Sequence, residues 1–242
     1  MKPHWNKSND SPGVVKVFEA LSYLVKETDD DGIDLLFTVS GDRVSDRKST
    51  KKLVQLVKER EHKGDTDINL RLNRLFEDYK AEFEKKKSRF SKDLKKVKPL
   101  SLYILTNGVW EKGSDLSEII RLLVKRLEDI GKTREQVGIE FISFGADPVG
   151  LGRMEYLDSE LSLSMYVVFH VFTFSSDSNK TNRIIYYRDI IDHEPSDGNV
   201  WKMLLGSFNN TWDNDDDLKR QSHLSHRTLD ADSVNDKQVY DT

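Results

Sequence analysis

Apolar residues along this chain form two patterns: stripes recurring every three or four positions, and short unbroken runs. The stripes read as helices. Val14, Val17, Phe18, Leu21, Leu24 and Val25 share one face, and Ser11-Pro12 ahead of them supplies an N-cap and a first-turn proline. Leu53, Leu56 and Val57 mark a short helix ending near Arg60, and Leu72, Leu75, Phe76, Tyr79 and Phe83 mark a longer one. The clearest helix carries Leu116, Ile119, Ile120, Leu123 and Leu127. Asp115-x-x-Glu118 resembles its capping box, and Gly131 is placed to end it. Residues 199–208 (NVWKMLLGSF) read as a last amphipathic helix, with Trp201 expected in the core beside Val200, Leu204 and Leu205.

The unbroken runs read as strands. Residues 33–39 (IDLLFTV), 100–105 (LSLYIL) and 137–144 (VGIEFISF) are short, rich in β-formers and bounded by turns. A strand apolar at successive positions is one covered on both faces. Strands alternating with helices imply a Rossmann-like α/β fold, a mostly parallel sheet with helices on both sides. Residues 40–50 and 62–67 read as loops. Residues 163–174 and 183–191 are two more β-like runs around a polar stretch. Residues 1–211 make one domain, and 212–242, acidic and poor in core formers, are expected to form a disordered tail.

In an open parallel sheet, ligands sit at the carboxyl ends of the strands. The run 100–105 leads straight into Thr106-Asn107-Gly108, so residues 106–110 are expected to line any site. Trp110 has two readings there: an aromatic rim contact for a partner, or a cover packed over the next helix.

Composition narrows the classes. Apolar residues are 36% and charged residues 33%, a lean core for 242 residues, and the net charge of −4 argues against general nucleic-acid binding. The absence of cysteine excludes disulfides, thiolate metal sites and cysteine nucleophiles, and fits a reducing compartment. No apolar run approaches the roughly 20 residues of a membrane helix. The expected location is cytoplasmic, with no membrane partner. Asp29, Asp30, Asp31, Asp42 and Asp46 read as solvated turn carboxylates. Residues 85–98, eight of them basic, read as a helix end and linker. His223-x-x-His226 and the acidic run 213–217 fall in the tail. The sequence carries no glycine-rich phosphate loop, Gly-x-Ser-x-Gly elbow or His-Glu-x-x-His motif.

Taken together, LSYLVKETDDDGIDLLFT, KGDTDINLRL, PLSLYILTNGVW, GIEFISFGADP and DHEPSDGNVWKMLLG resemble a von Willebrand factor A-type domain of the kind common in filamentous fungi. The resemblance spans most of the chain up to Trp212. It implies a Rossmann-like sheet and a metal-ion-dependent adhesion site at the strand carboxyl ends, built for a hard cation such as Mg²⁺. Thr66, beside Asp65, matches the family's second-loop threonine. Asn107 stands where the family has an aspartate, so the charge is lost and metal binding is expected to be weak or absent. The first strand and its Asp-x-Ser-x-Ser motif have no counterpart ahead of Met1, so the sheet is expected to lack that strand. Residues 166–187 interrupt the pattern and read as an insertion or a retained intron. Those 22 residues correspond to 66 nucleotides whose ends admit splice-like codings, and the alternative is a real hairpin.

The resemblance implies a non-enzymatic protein-interaction module with a degenerate or empty site. Thr66 and Asn107 would be its residual metal donors, and Asp65, Gly108 and Trp110 its partner contacts. Two alternatives stand beside it. One is a metal-dependent hydrolase or phosphotransferase drawing on Asp65, Asp67 and Asn107. The other is a truncated product without function.

Overall fold

The computed structural model describes residues 4–5, 12–28, 32–38, 43–47, 49–60, 67–87, 97–111, 113–132, 136–161, 165–171, 182–188 and 190–208. In chain order these form α1 (Val14–Thr28), β1 (Ile33–Leu36), β2 (Arg43–Arg47), α2 (Thr50–Lys58), α3 (Ile68–Lys87), β3 (Leu100–Thr106), α4 (Leu116–Asp129), β4 (Val137–Ser143), α5 (Pro148–Glu155), β5 (Met165–Val171), β6 (Asn182–Arg188), β7 (Ile191–Pro195) and α6 (Val200–Leu205).

The central sheet is three-stranded and parallel, in the order β3-β4-β7. β4 is the middle strand and all seven of its residues are buried, as its unbroken apolar run requires. Helices cover both faces. On one, Leu100, Leu102, Ile104, Val137, Ile139 and Phe141 join the apolar stripes of α3 and α4. On the other, Tyr103, Leu105, Ile142 and Phe144 meet α1 and α6. The result is a mixed α/β fold compatible with a Rossmann-like arrangement.

Local chemistry sets the ends of α4. The Asp115 carboxylate accepts from the Ser117 amide at 2.9 Å and also from the Ser117 hydroxyl, and these bonds hold its pKa below the usual carboxylate range. Gly131 takes φ +67°, and the Lys132 amide donates back to the Leu127 carbonyl at 2.8 Å. This is the left-handed termination that glycine accepts without strain. α3 is tied to the entrances of β3 and β4 through Tyr79. Its hydroxyl lies 2.9 Å from the Lys98 carbonyl and 3.0 Å from that of Gln136, and it accepts from the Gln136 amide nitrogen at 2.5 Å. Burial pushes the Tyr79 phenol up to about 12.

Four expectations need correction. Residues 33–39 were expected to form a doubly covered strand of the parallel sheet. Instead β1 stops at Leu36, is half-buried, and pairs antiparallel with β2 in a separate ribbon. Residues 40–50 were expected to be a loop, yet they contain β2. Its polar sequence carries no alternation, but Arg43 reaches Asp34 on β1 at 2.7 Å and fixes the pairing. The run 183–191 splits into β6 and the start of β7, and only β7 enters the parallel sheet. Trp201, expected in the core, is 48% exposed, while its neighbour Lys202 is buried.

β5 and β6 pair antiparallel from Met165↔Arg188 to Val171↔Asn182. Within the segment 166–187, Tyr166 opposes Tyr187, and residues 172–181 lie outside the described residues. Ser11, Asp29, Asp30, Asp31, Asp42, most of the 85–98 run and everything from residue 209 onward lie outside the described residues. Among the described residues, no helix is long and apolar enough to cross a membrane.

Candidate functional site

At the carboxyl end of β3 the chain turns through Thr106-Asn107-Gly108. The Gly108 amide donates to Thr106 Oγ1 at 3.0 Å, and the Val109 amide donates to Asn107 Oδ1 at 3.3 Å. Both side-chain oxygens therefore face their own backbone, the usual role of Thr and Asn in a tight turn. Gly108 sits at φ +68°, and its backbone lies against that of Gly150. The β4 end contributes Gly145 at φ +87°, packed on the His4 imidazole, and Asp147. The Asp147 carboxylate caps α5 by accepting from the Val149 and Gly150 amides at 2.9 and 3.1 Å.

Arg153, one turn into α5, locks the two loops together. It donates to the Gly108 carbonyl at 3.0 Å and to the Trp110 carbonyl at 3.4 Å, with its guanidinium 5.2 Å from the centre of the Trp110 ring. The Trp110 indole nitrogen donates to the Ser114 carbonyl at 3.2 Å. Trp110 is 8% exposed and belongs to the main core. The reading of Trp110 as an exposed rim aromatic is thereby corrected: it packs with the helix that follows, beneath Arg153. The exposed apolar side chains around this turn include Val109 at 47% and Val149 at 60%, with Leu151 and Tyr156 further along the same helical segment.

The close approach of the loops gives a sharp prediction. A Cβ on Gly150 would stand 2.1 Å from the Asn107 carbonyl oxygen, whereas one on Gly152 would meet nothing within 4 Å. Gly150→Ala is expected to destabilise the fold by about 1–3 kcal/mol. Gly152→Ala, on the same helix, is expected to stabilise it by about 0.5–1 kcal/mol. Urea unfolding of the two variants checks both signs.

The donor set at this turn does not fit the cation the resemblance implies. Hard divalent ions take several oxygens, carboxylates among them. Here the Thr106 and Asn107 oxygens are committed to main-chain N–H groups and the Asp147 carboxylate to a helix cap. Among the described residues, no group of three or more His, Cys, Asp or Glu is arranged to hold a metal. Asp65 and Thr66 lie outside the described residues.

A second polar constellation was not singled out from the sequence. Glu140 on β4 and Asp192 on β7 are register neighbours, Glu194 follows Asp192 on the same face, and all three are buried. Lys202 of α6 reaches down to them, 3.7 Å from Asp192 and 3.4 Å from Glu194. The Glu194 carboxylate also accepts from the Asn199 amide at 2.7 Å, and Asn199 in turn caps α6. Gly198 and Gly206 make room for it: a Cβ on either would strike the Glu194 or Asp192 carboxylate. Burial raises the Glu140 carboxyl well above its ordinary pKa, and the charge of Asp192 raises it further. Lys202 and a Ser207 backbone hydrogen bond pull the other way. Tyr103, the register neighbour on β3, is pushed up to about 12, first by burial and then by Glu140. The cluster sets three buried carboxyl groups beside the Lys202 ammonium. The cluster clamps α6 to the sheet. One signal was available in the sequence, a glutamate inside the otherwise apolar run VGIEFIS.

Comparison with known proteins supplies no relative: no protein-family model, no curated protein and no solved structure matches this chain.

Proposed function

We propose that this chain is a protein-interaction module of von Willebrand A type rather than an enzyme, working in the cytoplasm. Its partner docks at the carboxyl ends of β3 and β4, and its metal site is degenerate, with weak Mg²⁺ binding or none. The observation that carries this reading is the exposure of Val109 and Val149, two apolar side chains on either side of the rigid Gly108–Gly150 contact. Apolar groups held at 47% and 60% exposure by a locked backbone can bind with little ordering cost. The Arg153 bonds to Gly108 and Trp110 support the same reading, because they tie the loop to α5 through the protein's own groups.

Affinity capture with the tagged full chain tests this. The expected result is a partner retained equally in Mg²⁺ and in EDTA, and lost from a Val109→Asp/Val149→Asp double variant whose unfolding midpoint is unchanged. Both substitutions sit on exposed positions, so their cost to folding is expected to be within about 0.5 kcal/mol. A partner that requires Mg²⁺, or that ignores the double variant, overturns the reading.

A further inference from the structure

The three strands of the parallel sheet end side by side. The Phe144 amide donates to the Thr106 carbonyl at 2.9 Å, and the Ser196 amide donates to the Ser143 carbonyl at 2.9 Å. The ladder therefore continues from β3 to β4 to β7 at the point where each strand turns out of the sheet. Three connections leave that edge: 107–115 to α4, 144–147 to α5 and 196–199 to α6.

Each connection, or the first turn of the helix it enters, presents an exposed apolar side chain. Val109 follows β3, Val149 follows β4 and Trp201 follows β7. Trp201 is the largest of the three, and its backbone is well held. The Asn199 side chain accepts from the Trp201 amide at 2.9 Å, and Met203 and Leu204 on the same helix are buried with Val14, Val17 and Ile142. An exposed indole on a helix seated by its neighbours is the kind of rigid aromatic that anchors an interface.

The same connections are acidic. In sequence they carry Glu111, Asp115, Asp147 and Asp197 against one base, Lys112. All four acids are exposed. Asp115 and Asp147 cap α4 and α5, whereas Glu111 stands two residues after Val109 and Asp197 four before Trp201. Arg153 of α5 turns inward to the Gly108 and Trp110 carbonyls. Apolar anchors rimmed by carboxylates complement apolar anchors rimmed by cations. Phosphate backbones and anionic membranes carry the same sign as this rim and are repelled by it.

We propose that this edge takes a basic segment of another protein, in which lysines or arginines flank apolar side chains. Trp201 is its aromatic anchor, and Glu111 and Asp197 are its charge partners. The proposal rests on the docking face at the ends of β3 and β4, extends that face to β7 and gives its partner a charge.

The test uses the full chain and a short peptide of leucines spaced among lysines. One control peptide has glutamate for every lysine, the other serine for every leucine. Binding is followed by titration calorimetry. The lysine–leucine peptide is expected to bind and the controls are not, and its affinity should fall about tenfold from low to high salt as the charges are screened. Trp201→Ala is expected to weaken it at least about tenfold. Glu111→Gln with Asp197→Asn is expected to weaken it about fivefold and to flatten the salt dependence. Val109→Ser with Val149→Ser removes apolar contact without changing the charge, and is also expected to weaken it about fivefold. All these positions are exposed, so unfolding midpoints should hold. The acid pair, on loop positions, keeps the test decisive if Trp201→Ala melts early.

The proposal is overturned if the lysine–leucine peptide does not bind, if either control binds as well, or if the folded Trp201 or acid-pair variant keeps full affinity. The valine pair separates the two failures. Full affinity there removes the docking face and this proposal with it. A loss there, with Trp201 or the acid pair silent, removes the basic partner and leaves the face standing.

Discussion

Lys202→Met is expected to destabilise the protein by about 3–5 kcal/mol at neutral pH, the usual cost of stripping one partner from a buried ion pair. Lys202 is 8% exposed and stands between Asp192 at 1% and Glu194 at 3%. Methionine matches the length of the side chain and fills the same space, so the loss isolates the charge. Two buried carboxylates then lose this cation. The deficit is expected to shrink as pH falls through the carboxylate range, because protonation removes the charges that Lys202 would have neutralised. Urea unfolding at pH 7 and pH 4 measures both values. A deficit below about 1 kcal/mol, or one that does not change with pH, would show that the ammonium is not what holds α6 to the sheet.

Glu140→Gln is expected to do the opposite and stabilise the fold by about 1–4 kcal/mol near pH 7–8. The sign follows from the direction of the shift. The folded protein holds the Glu140 proton more tightly than the unfolded chain does. Wild-type stability therefore falls as pH rises above the ordinary glutamate pKa of about 4.3 and continues to fall up to the raised folded value. Gln carries no such proton. The two proteins should be nearly equal in stability near pH 4 and diverge steadily above it. In a chain of this size, each kcal/mol is worth roughly 2–4 °C in melting temperature. Parallel melting curves from pH 4 to pH 8 would falsify a raised Glu140 carboxyl in the folded state. The two substitutions also share a cluster, so their effects should not add. With Glu140 replaced, the Lys202→Met penalty is expected to be smaller, because fewer acids depend on that cation.

These outcomes bear on the architecture as well as on stability. α6 and the turn Gly206–Phe208 cover the face of the sheet that carries Glu140, Asp192 and Glu194. The strand ends proposed to meet a partner lie at the carboxyl edge of the same sheet. A chain that loses the Lys202 clamp but keeps the Arg153 lock should bind its partner normally while melting at lower temperature. The separation is measurable because the two constellations share no residue.

Most of the helices were legible in the sequence because their determinants are local. The stripe of α4, its cap at Asp115 and its termination at Gly131 all act within a few residues of one another, so periodicity and turn chemistry were enough. The unbroken run at 137–144 likewise declared a doubly covered strand. The turn after β3 was legible too, since Thr, Asn and Gly carry their conformational preferences wherever they stand. The role of Trp110 was not, because its burial depends on Arg153, which lies far along the chain.

What the tertiary structure alone decided is which strands are neighbours and which charges are enclosed. Residues 33–36 are as apolar as a central strand, yet they sit in a separate ribbon, because Arg43 and the rest of β2 pair with them. Residues 192–195 of β7 are polar or proline and were not read as a strand, and they become one because β4 offers a parallel edge. Trp201 has the hydrophobicity to be core and Lys202 the charge to be surface, and the fold reverses them. The reason is electrostatic: Asp192 and Glu194 arrive from another element already buried, and an ammonium beneath the helix offsets their desolvation more than an indole could. Local pattern carries the preference of each residue for water, but the enclosed carboxylates that override it are assembled only when distant strands meet.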